Sequence, residues 1–204
     1  MGKAYSEIAA ERVSNWLYNN KEYDEINYLK AKLGIEATII NVSKIMIVYS
    51  ISLMFGLLIP TLITHLSYLS LRRVSMGLHA KSSFVCTVVS VIIFVVIPYL
   101  IQGVWIGNEL LLIGGLITTI LFWLYAPADT EKAPIIGAKR RRKLKRLAVL
   151  TNVIVLLAAL LVGQTMFRTL ILWGSVIQVV MILPITYKIL RRRCKNYEQY
   201  EKEF

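Results

Sequence analysis

The sequence predicts an all-α, polytopic helical membrane protein. Of its 204 residues, 56% are hydrophobic and the mean hydropathy is +0.59, whereas soluble domains usually hold about 45–50% apolar residues. The apolar residues form tracts that are long enough to cross a bilayer, and basic residues cluster beside those tracts. We therefore expect about five to six membrane segments, one of which could be re-entrant, and an N-terminal amphipathic helix.

The chain is expected to form a single integral membrane domain, residues 1–204. Residues 1–38 would be an amphipathic N-terminal segment, residues 39–190 the membrane segments, and residues 191–204 a cytoplasmic tail. Apolar residues recur at near-helical spacing between Tyr5 and Leu33, which predicts a helix lying on the membrane surface. A small cytosolic helical cap is the alternative. The polar, mixed-charge start does not look like a cleavable signal peptide.

Five apolar tracts follow one another along the chain: residues 39–71, 83–101, 110–125, 147–162 and 170–190. Each of the last four has about the length of one crossing. The first tract is too short for two full spans, which need about 40 residues. We expect one crossing helix to about Leu57, a break between Gly56 and Pro60, and a shorter returning segment. An external N-terminus followed by one long helix is the alternative.

Charge predicts the orientation of these segments. The chain carries 24 Lys and Arg against 12 Asp and Glu, and the basic residues cluster at positions 72–81, 139–146 and 191–193. The positive-inside rule places all three clusters in the cytoplasm and the poorly charged links 102–109 and 163–169 outside. The protein would then be a multi-pass protein of the cell membrane. Nucleic-acid binding is not expected, because the basic residues adjoin the spans and no recognition module is present.

The residues with potential chemistry lie in GLHAKSSFVC, residues 77–86, where a cytoplasmic loop enters the second tract. Cys86 could be a nucleophile and His79 its general base, the minimum pair for thiol-based acyl transfer. The alternative is that Cys86 is a small hydrophobic residue and His79 a polar boundary residue. The active site would lie at the cytoplasmic face.

Spacing constrains this pair. On one continuous helix, seven residues would separate His79 from Cys86 by about 10 Å along the axis. Either the helix begins between them, with Ser82 or Ser83 as N-cap, or a substrate group or another segment fills the gap. A second subunit of a homodimer could supply that segment. A helix start near Ser82 would also place Cys86 at the positive end of the helix dipole, which favours thiolate.

The chain has only two cysteines, Cys86 and Cys194, in very different surroundings. Their spacing indicates neither a disulfide framework nor a metal site. We expect no metal and no cofactor.

Two motifs together resemble the accessory gene regulator B family, AgrB. They are RRVSMGLHAKSSFVC, residues 72–86, and YAPADTEKAPI, residues 125–135. Members are membrane cysteine endopeptidases of Gram-positive quorum sensing that process a small precursor of the AgrD type. The resemblance covers nearly the whole chain, with both motifs in the expected order.

The resemblance implies that Cys86 is the nucleophile and His79 the base, with Arg72 and Gly77 in supporting positions. One departure is visible, because members often have a second glycine where this chain has Met76. The departure bears on how tightly the loop turns ahead of His79.

The second motif and the basic run allow two interpretations each. Asp129 could orient His79 as the third member of a triad, or it could form a turn or helix cap. The basic run could fix topology and touch anionic lipid, or it could bind the acidic tail of an AgrD-like precursor. The substrate-binding residues would then be Lys139, Arg140, Arg141, Arg142 and Lys143.

The implied reaction begins with attack of Cys86 on the junction between the precursor's signalling segment and its tail. The tail leaves, and an internal thiol of the substrate takes the acyl group and closes a thiolactone ring; a serine hydroxyl would give a lactone. Water must be kept away from the thioester for this exchange to succeed.

Two rival functions are a peptide exporter and a catalytically silent scaffold for a sensor kinase. The nearly uncharged spans disfavour the exporter, and the His and Cys motif disfavours the scaffold.

Overall fold

The computed structural model describes residues 5–18, 25–78, 83–131 and 134–201. Within these ranges the regular elements are helices, and a single isolated bridge pairs Met76 with Ala128. The predicted all-α class is thus confirmed. The chain divides into two compact units, residues 1–51 and 52–204, which are described separately.

The first unit contains α1, Tyr5–Tyr18, and most of α2, Glu25–Met54. The Tyr28 hydroxyl donates a 2.6 Å hydrogen bond to Asn15 Oδ1, and the Lys32 ammonium lies 3.7 Å from a Glu11 carboxylate oxygen. These contacts join α1 to the start of α2. The expected boundary between residues 38 and 39 falls inside α2, so the N-terminal segment and the first span share one helix.

The first apolar tract breaks where glycine and proline predicted it. Helix α2 ends at Met54, and the next helix, α3 (Leu58–Ser75), begins after a break at residues 55–57. Gly56 has φ +67°, a value that glycine adopts at little cost. Pro60 lies in the first turn of α3, where a helix does not need its N–H. The alternative of one long helix through this tract is therefore wrong.

The second unit holds α3 and the later described helices. After α3 these are α4 (Ser83–Val91), a π-helical turn (Ile92–Val96), α5 (Ile97–Ile101), α6 (Asn108–Tyr125), α7 (Ala138–Leu161), α8 (Thr165–Ile182), α9 (Pro184–Ile189) and α10 (Tyr197–Glu201). Across both units, five described segments are long and apolar enough to cross a membrane: residues 27–54, 84–101, 108–125, 138–161 and 165–182. With α3, this agrees with the expected five to six segments.

In the second unit, the two largest differences from the predicted boundaries are at the start of α7 and at the end of α8. The basic run 139–146 lies inside α7 and not in a loop before it, because Lys and Arg favour helix even though they lower hydropathy. The last span ends at Ile182 and not at residue 190. Pro184 disfavours helical backbone at the preceding residue, and Leu183 accordingly has ψ 133°.

Helices α3 and α8 pack through small residues. A Cβ added at Gly174 would lie 2.6 Å from Ser67 Cβ and 2.9 Å from the Thr64 carbonyl oxygen. The Ser67 hydroxyl also donates a 2.8 Å hydrogen bond to the Ile171 carbonyl. Such packing is typical of membrane helices whose backbones approach closely.

The π-helical turn ties the segment after Cys86 to α3 and α8. Pro98 has no N–H to donate to the carbonyls one turn before it, and side chains supply the missing bonds. Thr61 Oγ1 donates to the Phe94 carbonyl at 2.7 Å, and Trp173 Nε1 donates to the Ile93 carbonyl at 3.3 Å.

The two poorly charged links lie together at one end of the second unit. Thr169 Oγ1 donates to the Val104 carbonyl at 2.8 Å. Arg168 donates to Asn108 Oδ1 at 2.5 Å and to the Val162 carbonyl at 2.8 Å. Arg72, Arg141 and Arg192, one from each basic cluster, lie at the other end of this unit, where they contact residues 76–78, Glu201 and Glu131.

Candidate active site and basic cavity

Arg72 fixes the three residues that lead into His79, which we call the strap, residues 76–78. The guanidinium donates from Nη1 to the Met76 carbonyl at 2.7 Å, and from Nη2 to the carbonyls of Gly77 at 2.9 Å and Leu78 at 2.7 Å. The planar fork of arginine suits this arrangement, since it presents several donors in fixed directions. Arg72 therefore has a defined supporting contact with the predicted motif.

Glycine is required at position 77 for two reasons. Its φ of +113° is a backbone conformation that other residues rarely adopt. A Cβ there would lie 2.8 Å from Arg72 Nη1 and 2.8 Å from the Met181 carbonyl oxygen. Met76 also has a positive φ, +57°, so the strap turns tightly although this position is not glycine.

The strap joins the two sequence motifs. The Gly77 N–H donates to the Ala128 carbonyl at 2.8 Å, and the Ala128 N–H donates to the Ser75 carbonyl at 3.0 Å. On the other side, the Leu78 N–H donates to the Met181 carbonyl at 3.0 Å. The motif at residues 125–135 is thus part of the same structure as the motif at residues 72–86.

Gln178 contacts the strap, and the sequence analysis missed it. It is fully buried in α8, and its Nε2 donates to the Met76 carbonyl and to Ser75 Oγ, both at 2.6 Å. A signal was available, because a polar residue within an apolar span often serves function.

Cys86 lies in the first turn of α4, which begins at Ser83 in the described chain. The thiol is free and partly buried. The Cys86 carbonyl accepts a 2.8 Å hydrogen bond from Ser90 Oγ. His79 and Ser82 lie outside the described residues, so their predicted roles stay predictions.

Asp129 is buried and contacts the C-terminal segment. Its Oδ1 accepts a 3.0 Å hydrogen bond from the Asn196 N–H, and its Oδ2 accepts a 2.8 Å bond from the Tyr197 N–H. The Tyr187 hydroxyl donates to the Asp129 carbonyl at 2.8 Å, and burial, assisted by the Asp129 charge, raises the pKa of Tyr187. This carboxylate caps the start of α10, a role that no local pattern around residues 196–197 indicated.

A basic cavity of about 300 Å³ lies beside the second motif. It is bounded by residues 124–129, by α7 and by the C-terminal segment. Of the predicted substrate-binding residues, Arg141 and Arg142 line it, and Lys139, Arg140 and Lys143 are not among its lining residues. Lys145 and Lys195 also line it. Positions 141, 142 and 145 share one face of α7, because helix neighbours recur at three to four residues.

A carboxylate of the chain itself binds Arg141, one of the residues that line this cavity. Glu201 accepts hydrogen bonds from Arg141 Nη1 at 2.5 Å, Arg141 Nη2 at 2.9 Å and the Gly137 N–H at 2.9 Å. The hydrogen bond from Arg141, followed by that from Gly137, lowers the pKa of Glu201. The guanidinium also lies 3.8 Å from the centre of the Tyr197 ring.

Comparisons with known proteins agree with the resemblance in sequence. The family model described as "Accessory gene regulator B" matches residues 10–182. A "Putative AgrB-like protein" of Listeria innocua serovar 6a is 44% identical over 194 residues, covering 94% of this chain and 95% of the relative. One of Clostridium acetobutylicum is 40% identical over 196 residues, covering 96% and 94%.

A more distant relative has a more specific name. The "Accessory gene regulator protein B" of Staphylococcus epidermidis is 35% identical over 179 residues, covering 87% of this chain and 90% of the relative. No solved structure matches the chain at a significant level.

Proposed function

Because the chain belongs to the accessory gene regulator B family, we propose that it is a membrane cysteine endopeptidase that cleaves the tail from an AgrD-like precursor. The family takes part in accessory gene regulation, a form of quorum sensing. The observation that carries the proposal is the strap, which Arg72 holds through hydrogen bonds to three consecutive carbonyls.

Two described features support a Cys86 and His79 pair. Leu78, the residue before His79 in the sequence, is anchored because its N–H donates to the Met181 carbonyl. Cys86 lies in the first described turn of α4. A helix N-terminus and a nearby imidazolium both favour thiolate, so the proposal takes Cys86 as the nucleophile and His79 as its base.

The proposed reaction has two acyl-transfer steps. His79 takes the thiol proton, and the Cys86 sulfur bonds to the carbonyl carbon at the junction between signalling segment and tail. The peptide C–N bond breaks, and His79 gives its proton to the departing amine of the tail. An internal thiol of the precursor then attacks the thioester, which closes a thiolactone ring and returns Cys86 as a thiol. A precursor hydroxyl in place of that thiol would give a lactone.

Charge supports a location in the cell membrane with this site at the cytoplasmic face. Arg72 reaches the strap, and the strap contacts Ala128 and Met181. Arg192 lies 3.4 Å from Glu131 at the same end. All these groups belong to one basic end of the second unit, which the positive-inside rule assigns to the cytoplasm. We extend the proposal to residues 1–204 as a single peptidase domain.

Cleavage of a precursor by purified protein in lipid tests the proposal. The protein is incubated with an AgrD-like precursor peptide, and the products are weighed by mass spectrometry. Cys86→Ala and His79→Ala should each abolish tail release, because nucleophile and base act as a unit, while Cys194→Ala should not. Tail release by Cys86→Ala would overturn the endopeptidase, and transport without cleavage would favour the exporter.

A further inference from the structure

Two side chains from different helices hold the Met76 carbonyl. Arg72 Nη1 on α3 donates to it at 2.7 Å, and Gln178 Nε2 on α8 donates to it at 2.6 Å. A carbonyl oxygen has two lone pairs, so these two hydrogen bonds use its full capacity. The orientation of this peptide group is thus fixed by α3 and α8 together.

This peptide group belongs to the strained turn of the strap. Met76 has φ +57° and ψ −137°, a combination that a residue with a Cβ keeps only where the surrounding structure holds it. Glycine would adopt the same angles at little cost. Hydrogen bonds to the Met76 carbonyl therefore offset a strain that a glycine at this position would not have.

The Gln178 amide can face the strap in one orientation only. Its Nε2 also donates to Ser75 Oγ at 2.6 Å, and the Ser75 hydroxyl donates its own proton to the Leu71 carbonyl at 2.7 Å. Both acceptors therefore need a donor from Gln178, and a flipped amide would place its oxygen against them. The contact requires an amide N–H at this position and not merely a polar atom.

This orientation leaves the oxygen of the same amide without a partner. Gln178 is fully buried, and no described residue donates to its Oε1. An unpaired oxygen within an apolar span destabilises the fold, whereas a methionine of similar volume would fill the space without this cost. The contact with the strap therefore explains the glutamine better than packing does.

We propose that Gln178 is a positioning residue that holds the strained Met76 turn and, through the strap, the backbone that leads into His79. The effect on the reaction rests on the proposed function, because His79 is the proposed base. Leu78, the last residue of the strap, is bonded directly to His79, so the path of the strap sets where that backbone begins. Gln178 and Met76 are coupled, since the glutamine matters most while position 76 carries a Cβ.

A double-mutant cycle on the full chain tests this coupling. Wild-type protein, Gln178→Met, Met76→Gly and the double variant are reconstituted in lipid. Hydrogen exchange measures the protection of the Gly77 and Leu78 N–H groups without any substrate. Single-turnover release of the tail from an AgrD-like precursor, at limiting and at saturating precursor, measures the reaction.

Ser175→Ala is the matched control. Ser175 is also a fully buried polar residue of α8, and its hydroxyl has no hydrogen-bond partner among the described residues. If Gln178→Met fails to insert into the membrane, Gln178→Asn takes its place in the cycle, because it keeps an amide in the span but shortens the side chain by one methylene group.

Gln178→Met should speed exchange of the two strap N–H groups by roughly tenfold, because two hydrogen bonds that hold the turn are lost. It should slow tail release at saturating precursor by roughly tenfold to a hundredfold, with little change in precursor affinity. In the presence of Met76→Gly, the same substitution should change either measurement by less than about threefold. Ser175→Ala should match the wild type in both.

Two results would overturn the inference. Equal losses with and without Met76→Gly would show that Gln178 acts only through the packing of α8. Wild-type exchange and tail release in Gln178→Met would show that the strap does not depend on this amide.

The two measurements also separate this inference from the endopeptidase. Tail release by wild-type protein that Gln178→Met does not slow overturns the positioning role alone. If wild-type protein releases no tail, but Gln178→Met speeds strap exchange and Met76→Gly removes that effect, the endopeptidase is overturned and the hold of Gln178 on the strap is supported.

Discussion

The Arg72 guanidinium donates a 2.9 Å hydrogen bond to the Gly77 carbonyl while it also binds the carbonyls of Met76 and Leu78. Any Cβ at Gly77 would lie 2.8 Å from the same guanidinium. The arginine and the glycine therefore depend on one another: the fork fits only because the side chain beneath it is absent. Through this contact, the end of α3 determines the backbone path into His79.

Arg72→Lys should slow tail release by about tenfold or more, since loss of one or two charge-assisted bonds costs about 1.5–3 kcal/mol each. A lysine keeps the charge but lacks the fork that reaches three carbonyls. Arg73→Lys is the matched control, because Arg73 is exposed and should tolerate the change. The rate of tail release is measured for both variants after their membrane insertion has been checked. A wild-type rate in Arg72→Lys would contradict this role for the strap.

Met76→Gly should make the protein more stable than Met76→Ala by about 1 kcal/mol. The φ of +57° with ψ −137° at Met76 is strained for any residue with a Cβ, at a cost of roughly 1–3 kcal/mol, and glycine's greater freedom in the unfolded chain offsets part of the gain. Alanine removes the methionine side chain but keeps the strain. Unfolding free energies in mixed detergent micelles compare the two, and equal stability would show that the turn carries no strain.

Local sequence signals predicted the features that depend on neighbouring residues. Glycine and proline located the break after α2, and the hydropathy tracts located two of the spans, residues 84–101 and 108–125, within two residues. The special position of Gly77 followed from the motif. The signal for the π-helical turn was present in Pro98, but a proline inside an apolar tract does not by itself say which side chains supply the missing bonds.

Features set by distant residues could not be predicted in this way. Asp129 caps a helix 68 residues further along the chain, and Arg141 binds Glu201 at a separation of 60 residues. Neither partner stands out locally, because Glu201 lies in a short, mixed-charge tail. The start of α7 was misplaced for another reason: hydropathy treats a basic run as the end of a span, whereas helix propensity continues through it.

Asp129→Asn separates the two roles considered for this residue. An asparagine keeps one oxygen acceptor but cannot accept bonds from both Asn196 and Tyr197 N–H groups, so the start of α10 should loosen by about 0.5–2 kcal/mol. If Asp129 only positions α10, the Asp129→Asn variant should show faster amide exchange at residues 196–201. Its rate of tail release should then fall by less than about tenfold. A member of a triad would lose about 10⁴-fold in turnover, and such a loss with unchanged exchange would contradict the capping role.

The contact between Glu201 and Arg141 should be sensitive to acid. Arg141 lowers the pKa of Glu201 below its ordinary value of 4.5, so the contact contributes fully at neutral pH and is lost as pH falls through the lowered pKa. An environment-sensitive dye on Cys194, which lines the cavity, reports release of α10 in a Cys86→Ala background. Arg141→Gln should move the midpoint of the transition upward toward 4.5, because it removes the largest cause of the shift. Glu201→Gln should abolish the transition, and a transition that persisted there would show that another group controls α10.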